Sequence, residues 1–236
     1  MPASRRLRLA REITNELRRR EARNLVAVGV YGSVARGEER DHSDLDLLVV
    51  VRVKRARIRT HVRQGVLVTV LQHTPAEARA EVLGSRPDLN DALGGWRAMR
   101  PLYDPRGLLG TLKGRSRRPT RAQFRKAARG ALLATYEDLG KLRDAAAAGD
   151  AEEVREMAVW FTGGAMGLLF DLEGYVPRTG RRAFIEARRF GPVGQSVWAL
   201  RYRNPSLAKT VNLAESIWAD LRARARSQGI RIEDVP

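Results

Sequence analysis

Two short stretches carry residues whose types and spacing could do chemistry. Gly32-Ser33 closes an apolar run, Val28-Gly29-Val30-Tyr31, and Ser43-Asp44-Leu45-Asp46 opens a second, Leu45–Val51, with ten residues between Ser33 and Asp44. Glycine lets backbone N–H groups approach a phosphate closely, and a serine hydroxyl at the start of a short helix adds donors. Asp44 and Asp46, two apart on a strand, project from one face. Two carboxylates so placed can hold Mg²⁺ together with the phosphates of a nucleoside triphosphate, and that arrangement suits phosphoryl-transfer chemistry. Gly-Ser alone carries no information and Asp-x-Asp alone carries little, because an acidic turn before an ordinary strand looks the same. The combination, with a strand on each side, is the specific signal.

These residues need elements to hold them. Residues 4–24 read as an amphipathic helix, with Leu9, Ile13 and Leu17 four apart and arginine on the other faces. Val26–Tyr31 and Leu45–Val51 read as buried strands, and Ile58–Arg63 with Val66–Gln72 as a hairpin about Gln64-Gly65. Pro75–Leu83 reads as a short helix and Met99–Tyr103 as an edge strand. Lys113–Pro119, rich in Gly, Ser, Pro and basic residues, reads as linker. Beyond Thr120 the pattern predicts helices over 121–147, 151–173, 179–190 and 205–228, with Asn204-Pro205 before the last. The expected class is α+β: a mixed sheet flanked by helices over 1–108, a linker over 109–120, and a helical bundle over 121–236.

Composition narrows the classes further. The 236 residues leave ample room for a packed core, and 43% apolar content argues for a folded protein. Cysteine is absent, which removes disulfides, Cys-ligated zinc and thiol catalysis, and the three histidines, His42, His61 and His73, make a His-rich metal site improbable. No apolar run approaches a bilayer span and no secretory h-region is present, so a cytoplasmic protein without membrane partners is expected. The 44 basic residues outnumber the 27 acidic ones, a net charge of +17, and only five of the basic residues are lysine. Such an excess favours anionic partners such as nucleotides or nucleic acid.

The motif resembles the signature of the DNA polymerase β-like nucleotidyltransferase superfamily, Gly-Ser followed by Asp-x-Asp/Glu. Within it the chain is most similar to the kanamycin (aminoglycoside) nucleotidyltransferases. That likeness extends to Met99-Arg-Pro-Leu-Tyr-Asp-Pro105, Tyr136-Glu-Asp-Leu-Gly-Lys141, Gly164-Ala-Met-Gly-Leu-Leu169 and the ending Gly229–Pro236. The resemblance implies a nucleotidyltransferase that uses Mg²⁺ and moves NMP, from ATP or another NTP, to a hydroxyl of an aminoglycoside-like small molecule with release of pyrophosphate. Asp44 and Asp46 would ligate the metal, Glu137 would be the general base, and Gly32, Ser33, Arg36 and Lys141 would bind the nucleotide. A homodimer is implied, Glu137 completing the partner's site. Glu137 and Lys141 are also i,i+4 on one helix, the spacing of an ordinary surface ion pair.

The sequence departs from the family in two places. The strand that normally supplies a third carboxylate aligns with Gly65–Gln72 and places Thr69 there, so the site runs on two carboxylates plus Glu137, or catalysis is reduced or lost. Polycationic acceptors call for an acidic rim, and although Glu77, Glu81, Asp88 and Asp91 could supply one, Arg79, Arg86 and Arg97 lie among them. Residues 113–129 hold eight basic residues and no acidic one, and Arg178, Arg181, Arg182, Arg188 and Arg189 lie close together in sequence. The charge keeps two other readings open: transfer to an RNA terminus, or a catalytically degenerate fold that binds nucleotide or nucleic acid.

Overall fold

The helix expected over 4–24 is α1, Arg5–Glu21, in a computed structural model of the chain that describes residues 4–203 and 205–231. The Ser4 hydroxyl accepts from the Leu7 N–H at 3.1 Å and starts α1, and Arg18, Arg19 and Arg20 in its last turn suit the helix dipole. Five strands follow: β1 (Leu25–Tyr31), β2 (Leu45–Val51), β3 (Ile58–Arg63), β4 (Val66–His73) and β5 (Arg100–Tyr103). They form one mixed sheet in the order β3-β4-β2-β1-β5, in which β2 and β4 are parallel and the other pairs antiparallel. Gln64 and Gly65, with φ of 51° and 69°, make the tight turn that the hairpin reading anticipates.

Alternation along the strands decides what each face meets. Val28, Val30, Leu45, Leu47 and Val49 point to the face covered by Leu9, Ile13 and Leu17 of α1. On the other face, Gly29 of β1 admits its neighbours closely, since a Cβ there would lie 2.5 Å from Met99 Sδ and 3.1 Å from Leu109 Cδ1. Leu109 belongs to α5, Leu108–Ser116. These residues fall in the expected linker and are helix instead, because Leu109, Leu112 and Ser116 form a buried stripe that the surrounding glycine and arginine conceal.

The chain divides into two units, one of residues 1–84 and 92–119, the other of residues 85–91 and 120–236. The first also holds α2 (Gly32–Arg36), α3 (Pro75–Leu83) and most of α4 (Leu89–Ala98), a helix whose Gly94-Gly95 pair hides it from the sequence reading. Thr74 and Glu77 form a reciprocal capping box at the start of α3.

The second unit is helical: α6 (Arg121–Ala148), α7 (Ala151–Glu173), α8 (Ala183–Ala187), α9 (Gly191–Tyr202) and α10 (Leu207–Ser227). α6 begins with a Thr120–Gln123 capping box and ends at Gly149 in the left-handed conformation, and Asp150 caps α7 at once, so the two run as a hairpin. Gly164 of α7 lets the helices approach, a Cβ there lying 3.0 Å from Thr135 Oγ1. Leu132, Leu139, Phe161, Leu168 and Leu221 are buried in the core they share with α10. The single helix expected over 179–190 is α8 flanked by 3-10 turns, and α9, opening on Gly191-Pro192, was not expected at all. Within this unit Asn90 donates to the buried Asp171 of α7 at 2.9 Å and to the Gly167 carbonyl at 3.2 Å, fastening residues 85–91 to the helices. Asn204 and the last part of the Gly229–Pro236 ending lie outside the described residues. Among the described residues no helix is long and apolar enough to cross a membrane.

Candidate active site

The two stretches of the motif meet where β1 ends. The β1–β2 register sets Tyr31 opposite Asp46, and the chain then leaves the sheet through Gly32 with φ of 70°. A Cβ on Gly32 would lie 2.6 Å from Asp46 Oδ2, so the position needs glycine both for its backbone and for the carboxylate packed against it. The short helix α2 follows and is closed by Gly37, left-handed at φ of 69°, whose N–H reaches the Ser33 and Val34 carbonyls. Ser33 is buried and its Oγ has no hydrogen-bond partner among the described residues. A buried hydroxyl without a partner is rare in folded proteins and fits a group that meets an incoming polar ligand.

The loop before β2 is fixed by an arginine that sequence reasoning missed. Arg6 of α1 donates through Nε to the Ser43 carbonyl at 2.7 Å and through Nη2 to the Asp41 carbonyl. Ser43 is buried, accepting the Arg40 N–H on Oγ at 2.8 Å and returning its own N–H to the Arg40 carbonyl at 2.9 Å. Asp44 therefore leaves a clamped loop and Asp46 follows one residue into β2. Both carboxylates are partly exposed. Burial, and then repulsion from Asp44, push the Asp46 carboxyl up to about 6, with Arg36 opposing. Two oxygen-donor side chains that repel each other in this way form a donor set that a hard divalent cation would relieve. Arg36 itself pairs through Nε with Glu38 at 3.1 Å.

Thr69 stands where the sequence places it. In the parallel β2–β4 pair it is directly opposite Asp46, and on its other side β3 offers Thr60. No group of three or more His, Asp or Glu side chains placed to hold a metal occurs among the described residues.

Glu137 and Lys141 lie on α6, in the second unit, where Lys141 Nζ donates to Glu137 Oε1 at 2.7 Å. This bond holds the Glu137 carboxyl below its ordinary range and raises the Lys141 ammonium. Three of the four carboxylates proposed for an acidic rim are engaged locally. Glu77 pairs with Lys54 while capping α3, Glu81 accepts the Trp96 indole N–H at 3.0 Å, and Asp88 pairs with Arg86. Burial, and then the charge of Asp88, push Asp91 upward.

Residues 10–88 match the family model described as nucleotidyltransferase domain. That span, about a third of the chain, includes Gly32, Ser33, Asp44, Asp46 and Thr69. Among solved structures the chain is similar to a nucleotidyltransferase-like protein from Exiguobacterium sibiricum 255-15. The TM-score is 0.59 at 14% identity, over 92% of this chain and 75% of that one. The likeness in fold thus extends past the matched domain into the helical region. No curated protein matches the chain.

Proposed function

We propose that the protein transfers a nucleoside monophosphate from an NTP, with ATP the first choice, to a hydroxyl acceptor and releases pyrophosphate. The observation that carries this reading is the meeting of Gly32, Ser33 and Asp46: a glycine exit packed on a carboxylate, beside a buried hydroxyl that lacks a partner. Asp44 and Asp46 would hold Mg²⁺, which when bound supplies charge neutralisation for the triphosphate and acidifies the attacking hydroxyl. The Ser33 hydroxyl, at the start of α2, offers a donor to a phosphate oxygen, and Arg36 adds positive charge nearby. Glu137 takes the acceptor proton and Lys141 binds phosphate in this proposal. Their ion pair opens first, because a carboxylate held below its ordinary range by an ammonium accepts a proton poorly.

The acceptor follows from the resemblance: a hydroxyl of an aminoglycoside-like small molecule, handled by a homodimer. The net charge of +17 supports a second reading, with the terminus of an RNA as acceptor, since three of the four acidic side chains available for a rim are engaged elsewhere. Thr69 beside Asp46 supports a third, nucleotide binding without turnover.

One experiment separates them. The protein is incubated with Mg²⁺ and ATP labelled on the α-phosphate, against a panel of aminoglycosides and short RNAs. Label on a small molecule supports the first reading and label on RNA the second. Saturable ATP binding with no labelled product supports the third, and transfer undiminished in Asp44→Asn and Asp46→Asn overturns the site.

A further inference from the structure

At the opposite end of the sheet from Asp46, the first unit holds a cleft of about 890 Å³. Leu25, which lines it, pairs with Val51 at the far end of β1, six residues from Tyr31 and so roughly 20 Å from Asp46 along the strand. Among the described residues five arginines line the cleft, Arg23, Arg52, Arg79, Arg106 and Arg115, and no acidic side chain does. All five are exposed, and none forms an ion pair with an acid among the described residues.

The acids on the same or adjoining elements are committed elsewhere. Glu21 accepts from Asn24 and Arg20, Glu77 pairs with Lys54, Glu81 accepts from Trp96, and Asp104 Oδ2 accepts the Gly110 N–H. Arg52 is oriented through Nε, which donates to the Arg23 carbonyl at 2.9 Å. Five like charges around one concavity repel one another, and no acidic side chain among the described residues pairs with them; an anion would. Guanidinium groups match phosphate with paired donors. Between them the walls are apolar, from Leu25, Leu83, Leu108 and Leu112, with Tyr103 alongside.

We infer that this cleft binds a nucleoside polyphosphate, its phosphates on the arginines and its ring system on the leucine floor, at a site separate from the one that holds Asp44 and Asp46. The volume lies within the range of pockets for one small ligand, and the apolar floor gives a use to a base that bare phosphate lacks.

The test is isothermal titration of the full chain with ATP, and separately with inorganic triphosphate, in EDTA at low salt, where metal-dependent binding is removed. ATP is expected to bind at least about fivefold tighter than triphosphate, with affinity falling as salt rises. Arg79→Glu with Arg115→Glu is expected to weaken ATP at least about tenfold without a change in melting, and Arg106→Gln to weaken it by a smaller factor. Asp46→Asn keeps the metal-free binding, so a failure of the transferase reading leaves this one standing, and the reverse holds for the arginine variants assayed for transfer. Undiminished binding by the arginine variants, or no ATP binding in EDTA, overturns the proposal. So does triphosphate equal to ATP, or displacement of ATP by a short oligoribonucleotide at equal phosphate concentration, which assigns the cleft to RNA.

Discussion

The Asp46 carboxylate fills the space a side chain would need at residue 32: its Oδ2 lies 2.6 Å from where a Gly32 Cβ would stand. Fourteen residues apart in sequence, the two halves of the motif are therefore one contact, made because β1 and β2 pair with Tyr31 opposite Asp46. The contact sets the backbone that leads into Ser33 against the carboxylate that faces it. A ligand that met both would find them already fixed relative to each other.

Gly32→Ala tests the contact. It places a Cβ on the carboxylate and a non-glycine residue at φ of 70°, for a combined cost of about 2–3 kcal/mol. A melting temperature lower by roughly 4–10 °C is expected, together with loss of the Mg²⁺-dependent part of ATP binding. An unchanged melt with full binding would sink the assignment.

Asp46 gives a pH dependence. Its folded-state value of about 6 lies above the ordinary 3.8, so its contribution to stability is full below about 3.8 and is lost as pH rises through about 6. Asp46→Asn removes that penalty. At pH 8 without metal the variant is expected to be more stable by about 1–2 kcal/mol, allowing for partial exposure, while nucleotidyl transfer falls at least about 100-fold. Denaturant melts at pH 5 and pH 8 check it: the gain should be clearly smaller at the lower pH.

Thr69→Glu places a third carboxylate opposite Asp46. Metal-free protein should melt lower than wild type, because another negative charge joins a site that already disfavours ionisation. Added Mg²⁺ or Mn²⁺ should then raise the melting temperature by more than it does in wild type. Equal metal response in the two proteins would show that position 69 does not face the cation.

Much of this architecture was legible because its signals are local. Val-rich runs ending in Gly-Ser or opening on Asp-x-Asp mark β1 and β2, and Gln64-Gly65 marks the hairpin. The register that sets Thr69 opposite Asp46 follows the alignment of β4 made from the sequence. What stayed hidden was long-range or masked by composition. Arg6, which clamps Ser43 from 37 positions away, is one arginine among many. α4 is disguised by Gly94-Gly95, and α9 by an opening Gly191-Pro192 in which proline occupies the one helical turn that tolerates it. The engagement of Glu77 and Glu81 by Lys54 and Trp96 depends on tertiary neighbours that no spacing reveals.

A second pH effect belongs to the helical unit. Asp171 is 1% exposed, burial pushes its carboxyl up to about 7, and only its Oδ1 has a partner, Asn90. Its contribution to stability is thus full below about 3.8 and lost as pH rises through about 7. Asp171→Asn, which can still accept from Asn90, is expected to stabilise the protein at pH 8 by about 2 kcal/mol and by less than half of that at pH 5. Hydrogen exchange of α7 at the two pH values reports it, and equal exchange in variant and wild type at pH 8 would contradict it.

The helix at residues 108–116 alters where this protein can be cut. A fragment ended at residue 108 would lose Leu109, and with it the side chain that closes over Gly29 beside Met99. The exposed back of β1 would then be an aggregation surface rather than a clean edge. A gene-fusion boundary should therefore fall no earlier than Pro119, after the last buried residue of α5, though it still parts residues 85–91 from the helices that hold them; a shorter piece is expected to be insoluble even though it retains every residue of the Gly-Ser and Asp-x-Asp motif.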